Sequence, residues 1–330
     1  CGHSGSYGRE SSPLPLQACS PASLRTRLAP IRPGPILVLM ISKLSIALIS
    51  FVFLPVLAAQ PQVLDAHVHH NGDPTFLKAL IKRLDPFNGM AFVLVKPKHL
   101  AATKPIIDAH PNRLVGFGDI DLDDPEAVKR IDEFHAAGFR GIGELSRPLK
   151  NFDDPKYSPI YARAEQYGMI ALFHTGIVNR TTPDIPEDVS VDRMRVLLLD
   201  GIARRYPKLT IIGAHLGNPE YANAAEIARW NPNLYFDLTG STLIKKQEDY
   251  TFFKSVFWWS SVASPHTPAS GASAFEKIVF GSDIFDGEIE EFDRSLDRYR
   301  KMLNACGVSK EAQANILSGT MWRILKRSSK

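Results

Sequence analysis

Eight short apolar runs, each followed by an amphipathic stretch, constrain the fold of this 330-residue chain more than any other feature. Continuous apolar strands joined by helical crossovers are typical of a parallel sheet that is buried on both faces. Eight such units over about 250 residues match the size of a closed (β/α)8 barrel, the TIM barrel. The predicted strands are Val63–Val68, Met90–Val95, Leu114–Ile120, Gly141–Leu145, Met169–Phe173, Leu209–Ala214, Leu234–Leu238 and Ile278–Phe280.

An open, doubly wound sheet is the alternative arrangement of alternating strands and helices. It is disfavoured because no glycine-rich phosphate loop follows the first predicted strand. The closed barrel, in contrast, places the ends of all its strands around one mouth. The predicted helices are Thr75–Leu84, Leu100–Ala109, Glu126–Ala137, Ile160–Tyr167, Asp192–Tyr206, Tyr221–Trp230, Glu288–Ala305 and Lys310–Leu325.

The beginning of the chain differs in composition from the rest. Residues 1–39 are rich in Pro, Ser, Gly and Arg without periodicity, which predicts a disordered leader or wrongly assigned upstream sequence. Residues 40–59 place Lys43 before an apolar segment, Ile46–Leu57, and small residues follow. This layout predicts a secretory signal peptide, export to the periplasm or the exterior, and no stable membrane insertion after cleavage. A membrane anchor over Ile36–Ala59 is the competing interpretation, which its internal lysine and proline disfavour.

The barrel domain predicted over residues 60–330 carries no net charge. The chain has 39 Lys and Arg and 35 Asp and Glu, and five basic residues and one acid precede Gln60, which leaves 34 of each sign. A neutral domain gives no electrostatic basis for binding nucleic acid, so the expected partner is a small-molecule substrate. The domain has one cysteine, Cys306, and therefore no internal disulfide.

Side chains that could bind a metal stand where the predicted strands end. His67 and His69 are two residues apart on the first strand, and alternate residues of a strand point to the same face. Four further candidates end later strands: Glu144, His174, His215 and Asp283. Because the carboxyl ends of barrel strands converge on one pocket, we expect these six side chains to surround one or two divalent metal ions.

The segments that contain these residues have a family resemblance. They are DAHVHH, FHTG, YPKLTIIGAHLG, NPNLYFDLTG and VFGSD. Together they resemble the amidohydrolase superfamily, most closely its amidohydrolase 2 branch of metal-dependent hydrolases and decarboxylases, from Val63 to about Leu325. The resemblance implies a divalent metal, usually zinc, bound by His67, His69, His174 and Asp283. It also implies that His215 contacts the reacting water or a second metal ion.

Glu144 departs from the commonest pattern of that branch. It is similar instead to the glutamate of TatD-like deoxyribonucleases, which can bridge two metal ions. The structural alternative is an ion pair with Arg147, three residues on. A carboxylate at this position can either bind the metal directly or pair with a neighbouring side chain outside the ligands. Asp65 is expected to orient a neighbouring turn or ligand without binding the metal itself.

These residues predict the hydrolysis of a C–N or C–O bond, as in an amide, a lactone or an ester. Zn²⁺ lowers the pKa of its water from 15.7 to about 7, which corresponds to on the order of 10 kcal/mol. In this hypothesis Asp283 takes the proton from water and passes it to the leaving group, and His215 hydrogen-bonds the developing oxyanion. Non-oxidative decarboxylation of a small aromatic or enoic acid is the alternative, because the same family branch contains such enzymes.

Three further features are expected near the mouth of the barrel. Arg147, just beyond the fourth strand, is the candidate for binding a substrate carboxylate, with a surface salt bridge as the alternative. The loop Gly176–Ser190 is expected to line the mouth. Five aromatic residues between the last two strands are expected to pack a helix onto the barrel, or else to form a lid or a homodimer contact. They are Phe252, Phe253, Phe257, Trp258 and Trp259.

Overall fold

Seven of the eight predicted strands form one parallel sheet in the computed structural model, which describes residues 60–178, 190–240, 244, 250–257 and 274–327. Each strand pairs with its neighbour in chain order, from the first to the seventh. The strands are β1 (Leu64–His70), β2 (Met90–Val95), β3 (Leu114–Gly118), β4 (Gly141–Leu145), β5 (Ile170–Phe173), β6 (Thr210–Gly213) and β7 (Leu234–Phe236).

The eighth apolar run forms no regular strand but takes the last position in the barrel. Single parallel bridges join Ile278 to Phe236 of β7 and Ile284 to Val68 of β1. Backbone hydrogen bonds to both neighbouring strands accompany these bridges. The segment therefore closes the sheet, and the fold is the predicted (β/α)8 barrel. Asp283 has a positive φ of 57°, which extended pairing does not accommodate, so pairing is interrupted between the two bridges.

Helices follow the strands and begin where local chemistry favours them. The first starts at Pro74, whose missing N–H costs nothing there, and Asp73 accepts a hydrogen bond from the backbone of Thr75 at 2.8 Å. A π-helical turn, Asn315–Gly319, joins the last two. The helices are α1 (Pro74–Leu84), α2 (Leu100–Ala109), α3 (Ala127–Ala136), α4 (Ser158–Gln166), α5 (Leu198–Arg205), α6 (Tyr221–Trp230), α7 (Tyr250–Phe257), α8 (Ile289–Ala305), α9 (Lys310–Ala314) and α10 (Thr320–Arg327).

The long helix predicted over Asp192–Tyr206 is wrong in its first half. A 3₁₀ turn covers Val191–Met194, and α5 begins only at Leu198. The break lies at Arg195, whose ψ of 137° is extended. Its guanidinium binds the carboxylate of Glu220 at 2.6 Å, so a contact with a distant part of the chain accompanies the interruption.

Several predicted features lie outside the described residues. They are the leader 1–39, the signal peptide 40–59, most of the loop Gly176–Ser190, and both tryptophans of the aromatic cluster. Within the described residues, no helix combines the length and the apolar character needed to cross a membrane. Phe253 of the aromatic cluster is buried in the core.

The buried core has an outer and an inner layer. The outer layer packs the sheet against the helices and includes Leu77 and Phe134. The inner layer fills the barrel, where the rings of Phe92 and Phe117 stack with centroids 4.5 Å apart. Met321 of α10 belongs to the inner layer as well. Because apolar side chains fill the interior, polar chemistry is confined to the carboxyl ends of the strands.

Candidate metal centre

An irregularity in β1 turns two histidines towards the barrel axis. Leu64 and Ala66 belong to the inner layer, whereas Val68 belongs to the outer layer. The pairing of β1 with β2 shifts just before Val68, so the alternation of faces reverses there. Bulges of this kind commonly re-aim side chains beside active sites. The two residues that turn inward are His67 and His69.

A glycine has the same effect on Glu144. Ile142 and Leu145 both lie in the outer layer, although strict alternation would place them on opposite faces. The pairing of β4 with β5 shifts between them, at Gly143, whose φ is 125°. A Cβ atom at Gly143 would lie 2.2 Å from the carbonyl oxygen of Leu172. Glycine is therefore required, and the backbone it permits turns Glu144 inward.

The structure brings four of the predicted side chains together in a first donor set. The Nε2 atoms of His67 and His69 lie 3.1 Å apart. Oδ1 of Asp283 lies 3.4 Å from the first of these nitrogens and 3.3 Å from the second. The two carboxylate oxygens of Glu144 lie 3.9 Å and 3.7 Å from the same nitrogens. These donors converge although His67 and Asp283 come from opposite ends of the domain.

Glu144 also belongs to a second donor set with His174 and His215. Its Oε1 atom lies 2.9 Å from Nδ1 of His174 and 3.2 Å from Nε2 of His215. The two imidazole nitrogens are 3.1 Å apart. His215 is held there in a left-handed backbone, with φ 63°. Five of the six predicted donors form two groups that share Glu144, and Asp283 joins the first group through its contacts with His67 and His69.

The spacing and chemistry of these donors fit divalent transition metals. Atoms bound to one tetrahedral Zn²⁺ at about 2.1 Å lie roughly 3.4 Å from one another. The distances between two histidine nitrogens, and between a histidine nitrogen and a carboxylate oxygen, lie between 2.9 Å and 3.9 Å in the two sets. Imidazole and carboxylate donors together suit zinc, iron and related ions. The arrangement thus offers two adjacent cation positions on either side of Glu144.

The electrostatics of the cluster favour positive charge. Burial opposes protonation of His67, but the carboxylates of Asp283 and Glu144 raise its pKa to about 10. Burial likewise opposes protonation of His215, and the hydrogen bond to Glu144 raises its pKa to about 9. Burial alone would raise the pKa of Glu144, yet the charges on His174 and His67 hold it well below its usual range. A site that holds protons this tightly suits a metal cation in their place.

Asp237 directly follows β7 and positions two of the histidines, although no role is predicted for it from the sequence. Its Oδ2 atom accepts a hydrogen bond from Nδ1 of His67 at 2.9 Å. Its Oδ1 atom accepts from the backbone N–H groups of His215, at 2.9 Å, and Thr239, at 3.0 Å. A carboxylate behind a ligand imidazole fixes the tautomer and the ring orientation. The sequence did contain a signal for this role, because Asp237 is a polar residue directly after the apolar run Leu234–Phe236.

Asp65 ties β1 to the segment that closes the barrel. Its Oδ1 atom accepts hydrogen bonds from the backbone N–H groups of His67, at 3.1 Å, and Ser282, at 2.9 Å. Next to this contact, the backbone N–H of Asp283 donates to the carbonyl oxygen of His67 at 2.8 Å. Burial raises the pKa of Asp65 to about 7. These contacts match the orienting role expected of this side chain.

Two other charged residues lie at the same end of the barrel. Arg147 is half-buried just beyond β4 with φ 50°, and its backbone N–H contacts the sulfur of Met194 at 3.4 Å. Its role in binding a substrate carboxylate stays a prediction. Asp119, which follows β3, was not predicted. Burial raises the pKa of Asp119, and the charges of His69 and Lys96 oppose that rise, so this carboxylate lies near the cluster.

The sequence matches one family model over more than half of the chain. The family is described as amidohydrolase, and the match covers residues 105–326. No curated protein matches the sequence.

Three solved structures share the fold at low sequence identity. An uncharacterized TIM-barrel protein from Bordetella bronchiseptica is 14% identical, covers 81% of this chain and 99% of its own, and has a TM-score of 0.54. Dihydroorotase from Saccharomyces cerevisiae is 12% identical over 81% of this chain and 86% of its own, with a TM-score of 0.52. A probable 2-pyrone-4,6-dicarboxylic acid hydrolase from Acinetobacter baumannii is 14% identical over 80% and 99%, with a TM-score of 0.50.

Proposed function

The chain belongs to the amidohydrolase family and is an enzyme, and we propose that it is a metal-dependent hydrolase of a small molecule. The bond cleaved is a C–N or C–O bond, as in an amide, a lactone or an ester. The position of Glu144, shared by two sets of donors, is the observation that supports this reaction. When bound, a pair of divalent cations acidifies water and polarises the scissile carbonyl.

His67, His69 and Asp283 would hold one ion, and His174 and His215 would hold the other. Glu144 belongs to both donor sets and would be available to either ion. Nδ1 of His215 donates to the carbonyl oxygen of Thr239 at 2.8 Å. The neutral ring therefore presents a lone pair on Nε2, which suits ligation. The oxyanion role predicted for His215 needs the proton on Nε2 instead, and so applies only where a single ion binds.

Asp283 is placed to move the proton in this proposal. Burial would raise the pKa of its carboxyl, but the charge on His67 and a hydrogen bond from His69 lower it below its ordinary value. The group is therefore ionised at neutral pH and accepts the proton of the attacking water. The water oxygen bonds to the carbonyl carbon. Asp283 then returns the proton to the leaving nitrogen or oxygen as the C–N or C–O bond breaks.

The metal content of two matched variants tests the shared role of Glu144. We expect the purified wild-type protein to bind two divalent ions per chain, measured by elemental analysis after loading and desalting. Glu144→Gln should bind one ion or none. The control is Glu220→Gln, the same change in a carboxylate that pairs with Arg195 outside the cluster, and it should bind as the wild type does. Equal metal content in all three proteins would contradict the bridging role.

Turnover is tested on a small panel of lactones, amides and aromatic acids. Hydrolysis adds one water to the substrate, whereas the alternative decarboxylase would release carbon dioxide from an aromatic or enoic acid. Asp283→Asn should lose turnover while the fold is kept, because the amide does not accept the proton. Carbon dioxide release without hydrolysis would contradict the hydrolase proposal. Wild-type activity in the Asn variant would contradict the role of Asp283 in proton transfer.

A further inference from the structure

Phe285 is a large apolar side chain exposed beside the metal cluster. It follows Asp283 by two residues on the connection from the closing segment to α8. Its ring stacks on the imidazole of His69, with centroids 4.2 Å apart and an interplanar angle of 1°. The residue nevertheless keeps 40% of its surface exposed. Because His69 covers one face of the ring, the exposed area belongs to the other face and the edge.

Hydrogen bonds fix the backbone on both sides of this ring, and the ring itself is held by its stacking on His69. The backbone of Phe285 accepts from the N–H of Glu288 at 2.9 Å and donates to its carboxylate at 3.3 Å. The next residue, Asp286, accepts from Nδ1 of His70 at 3.1 Å and from the backbone N–H of Asp73 at 2.8 Å. A side chain that is already ordered loses little conformational entropy when a ligand binds against it.

Phe285 lines a cavity that also contains the proposed proton acceptor, and charged side chains of α8, such as Glu291 and Arg294, line the same cavity. This cavity has a volume of about 830 Å³, and Phe285, Asp283, Thr239 and Gly240 are among the residues that line it. A molecule whose reacting bond lies at Asp283 therefore has Phe285 within the same space. Aromatic rings pair favourably in offset stacks with centroids roughly 4.5–7 Å apart, and the free face of this ring offers that contact.

We propose that Phe285 is a specificity-determining residue whose free face binds a planar, conjugated or aromatic group attached to the scissile carbonyl. The inference rests on the proposed function, since it places the reacting bond at Asp283. The substrate class is thereby narrowed to esters, lactones or amides of planar unsaturated acids. Because the ring also stacks on His69, it could act by binding substrate or by holding the imidazole of His69 in position. The experiments must separate these two roles.

Two carboxylate probes of equal charge and similar size separate planar from non-planar ligands. Benzoate and cyclohexanecarboxylate are titrated by calorimetry into the zinc-loaded protein, so the measurement does not depend on turnover. We expect benzoate to bind roughly 2- to 10-fold more tightly, the range of one aromatic pair. Equal affinities, or no binding of benzoate, would overturn the inference while leaving the hydrolase proposal to its own turnover test.

Variants assign the preference to one residue. Phe285→Leu keeps apolar bulk but removes the aromatic face, and it should abolish the preference for benzoate. Phe285→Tyr should retain it. Leu197→Ala, at a 42% exposed position just before α5, is the control and should behave as the wild type. Metal content is measured in each variant. A preference that survives in the Leu variant, or loss of zinc from that variant, would refute recognition by the ring and leave support of His69 as its role.

Discussion

Replacing Asp237 by Asn should weaken metal binding because it moves the ring proton of His67 from one nitrogen to the other. The amide oxygen of Asn keeps the two backbone donors of His215 and Thr239 that now bind Oδ1 at 2.9 Å and 3.0 Å. The amide nitrogen then takes the place of Oδ2, 2.9 Å from Nδ1 of His67. Because an amide NH₂ donates and does not accept, Nδ1 must lose its proton. The ring proton of neutral His67 moves to Nε2, the nitrogen that faces the other donors.

The size of the effect follows from the loss of that lone pair. A protonated Nε2 does not bind a cation, so ligation must first restore the other tautomer against an opposing N–H group. Removing an outer partner of this kind typically reduces metal affinity about 10- to 100-fold, or about 1.4–2.7 kcal/mol. The ion held by His67 should account for most of the loss. The ion beside His174 should change less, because Asp237 contacts His215 only through its backbone.

Competition with a chromophoric chelator measures both affinities. Asp200→Asn is the matched control, because that carboxylate accepts hydrogen bonds from Asn231 at 2.7 Å and Arg204 at 2.9 Å on α5, away from the cluster. Urea unfolding of the metal-free proteins shows whether each variant is folded. If the folded Asp237→Asn protein binds both ions as tightly as the wild type, control of the His67 tautomer by this carboxylate is refuted.

Three further predictions concern the scaffold. Tyr299→Phe removes the hydroxyl that accepts from the backbone N–H of Leu238 at 2.7 Å, and the free energy of unfolding in urea should fall by about 1–3 kcal/mol; an unchanged value would contradict this. Burial lowers the pKa of Lys277 to about 8 from 10.5, so the unfolded chain binds more protons between these values and stability rises with pH there. Relative to Lys277→Met, the wild type should gain about 2 kcal/mol between pH 7 and about pH 9.5, and a flat difference would exclude the shift. Gly143→Ala should lower stability and displace the carboxylate that follows, because its Cβ would meet Leu172 at 2.2 Å; full metal content in this variant would refute the need for glycine.

The barrel was predictable because burial on both faces leaves a strong signal in the sequence. The predicted strands Met90–Val95 and Gly141–Leu145 have the observed bounds. The break at Arg195 was not predictable, since the helical pattern continues through it and its partner Glu220 lies 25 residues further on. The positive φ of Asp283 was not predictable either, and it interrupts pairing between the bridges at Ile278 and Ile284.

The donors of the candidate site were predictable because they lie at or just after the carboxyl ends of strands. Six residues that follow apolar runs converge in the structure, because the carboxyl ends of barrel strands converge. Asp237 had the same signal, but its partner His67 could not be inferred from the sequence, since their hydrogen bond spans 170 residues. Phe285 had no signal at all. Its stacking on His69 depends on how the connection that follows Asp283 packs against the end of β1.

The hydrogen bond from Asp283 to the carbonyl of His67 joins the earliest and the latest donors of the cluster, and this has a consequence for biosynthesis. Chains emerge from the ribosome amino end first, so both β1 histidines are exposed to the cell while the closing segment is still inside the exit tunnel. A nascent or prematurely terminated chain therefore exposes His67 and His69 without Asp283, the third donor of their set. Binding of the ion assigned to His67, His69 and Asp283 becomes possible only after translation has passed Asp283, so that ion marks a chain that extends beyond the closing segment.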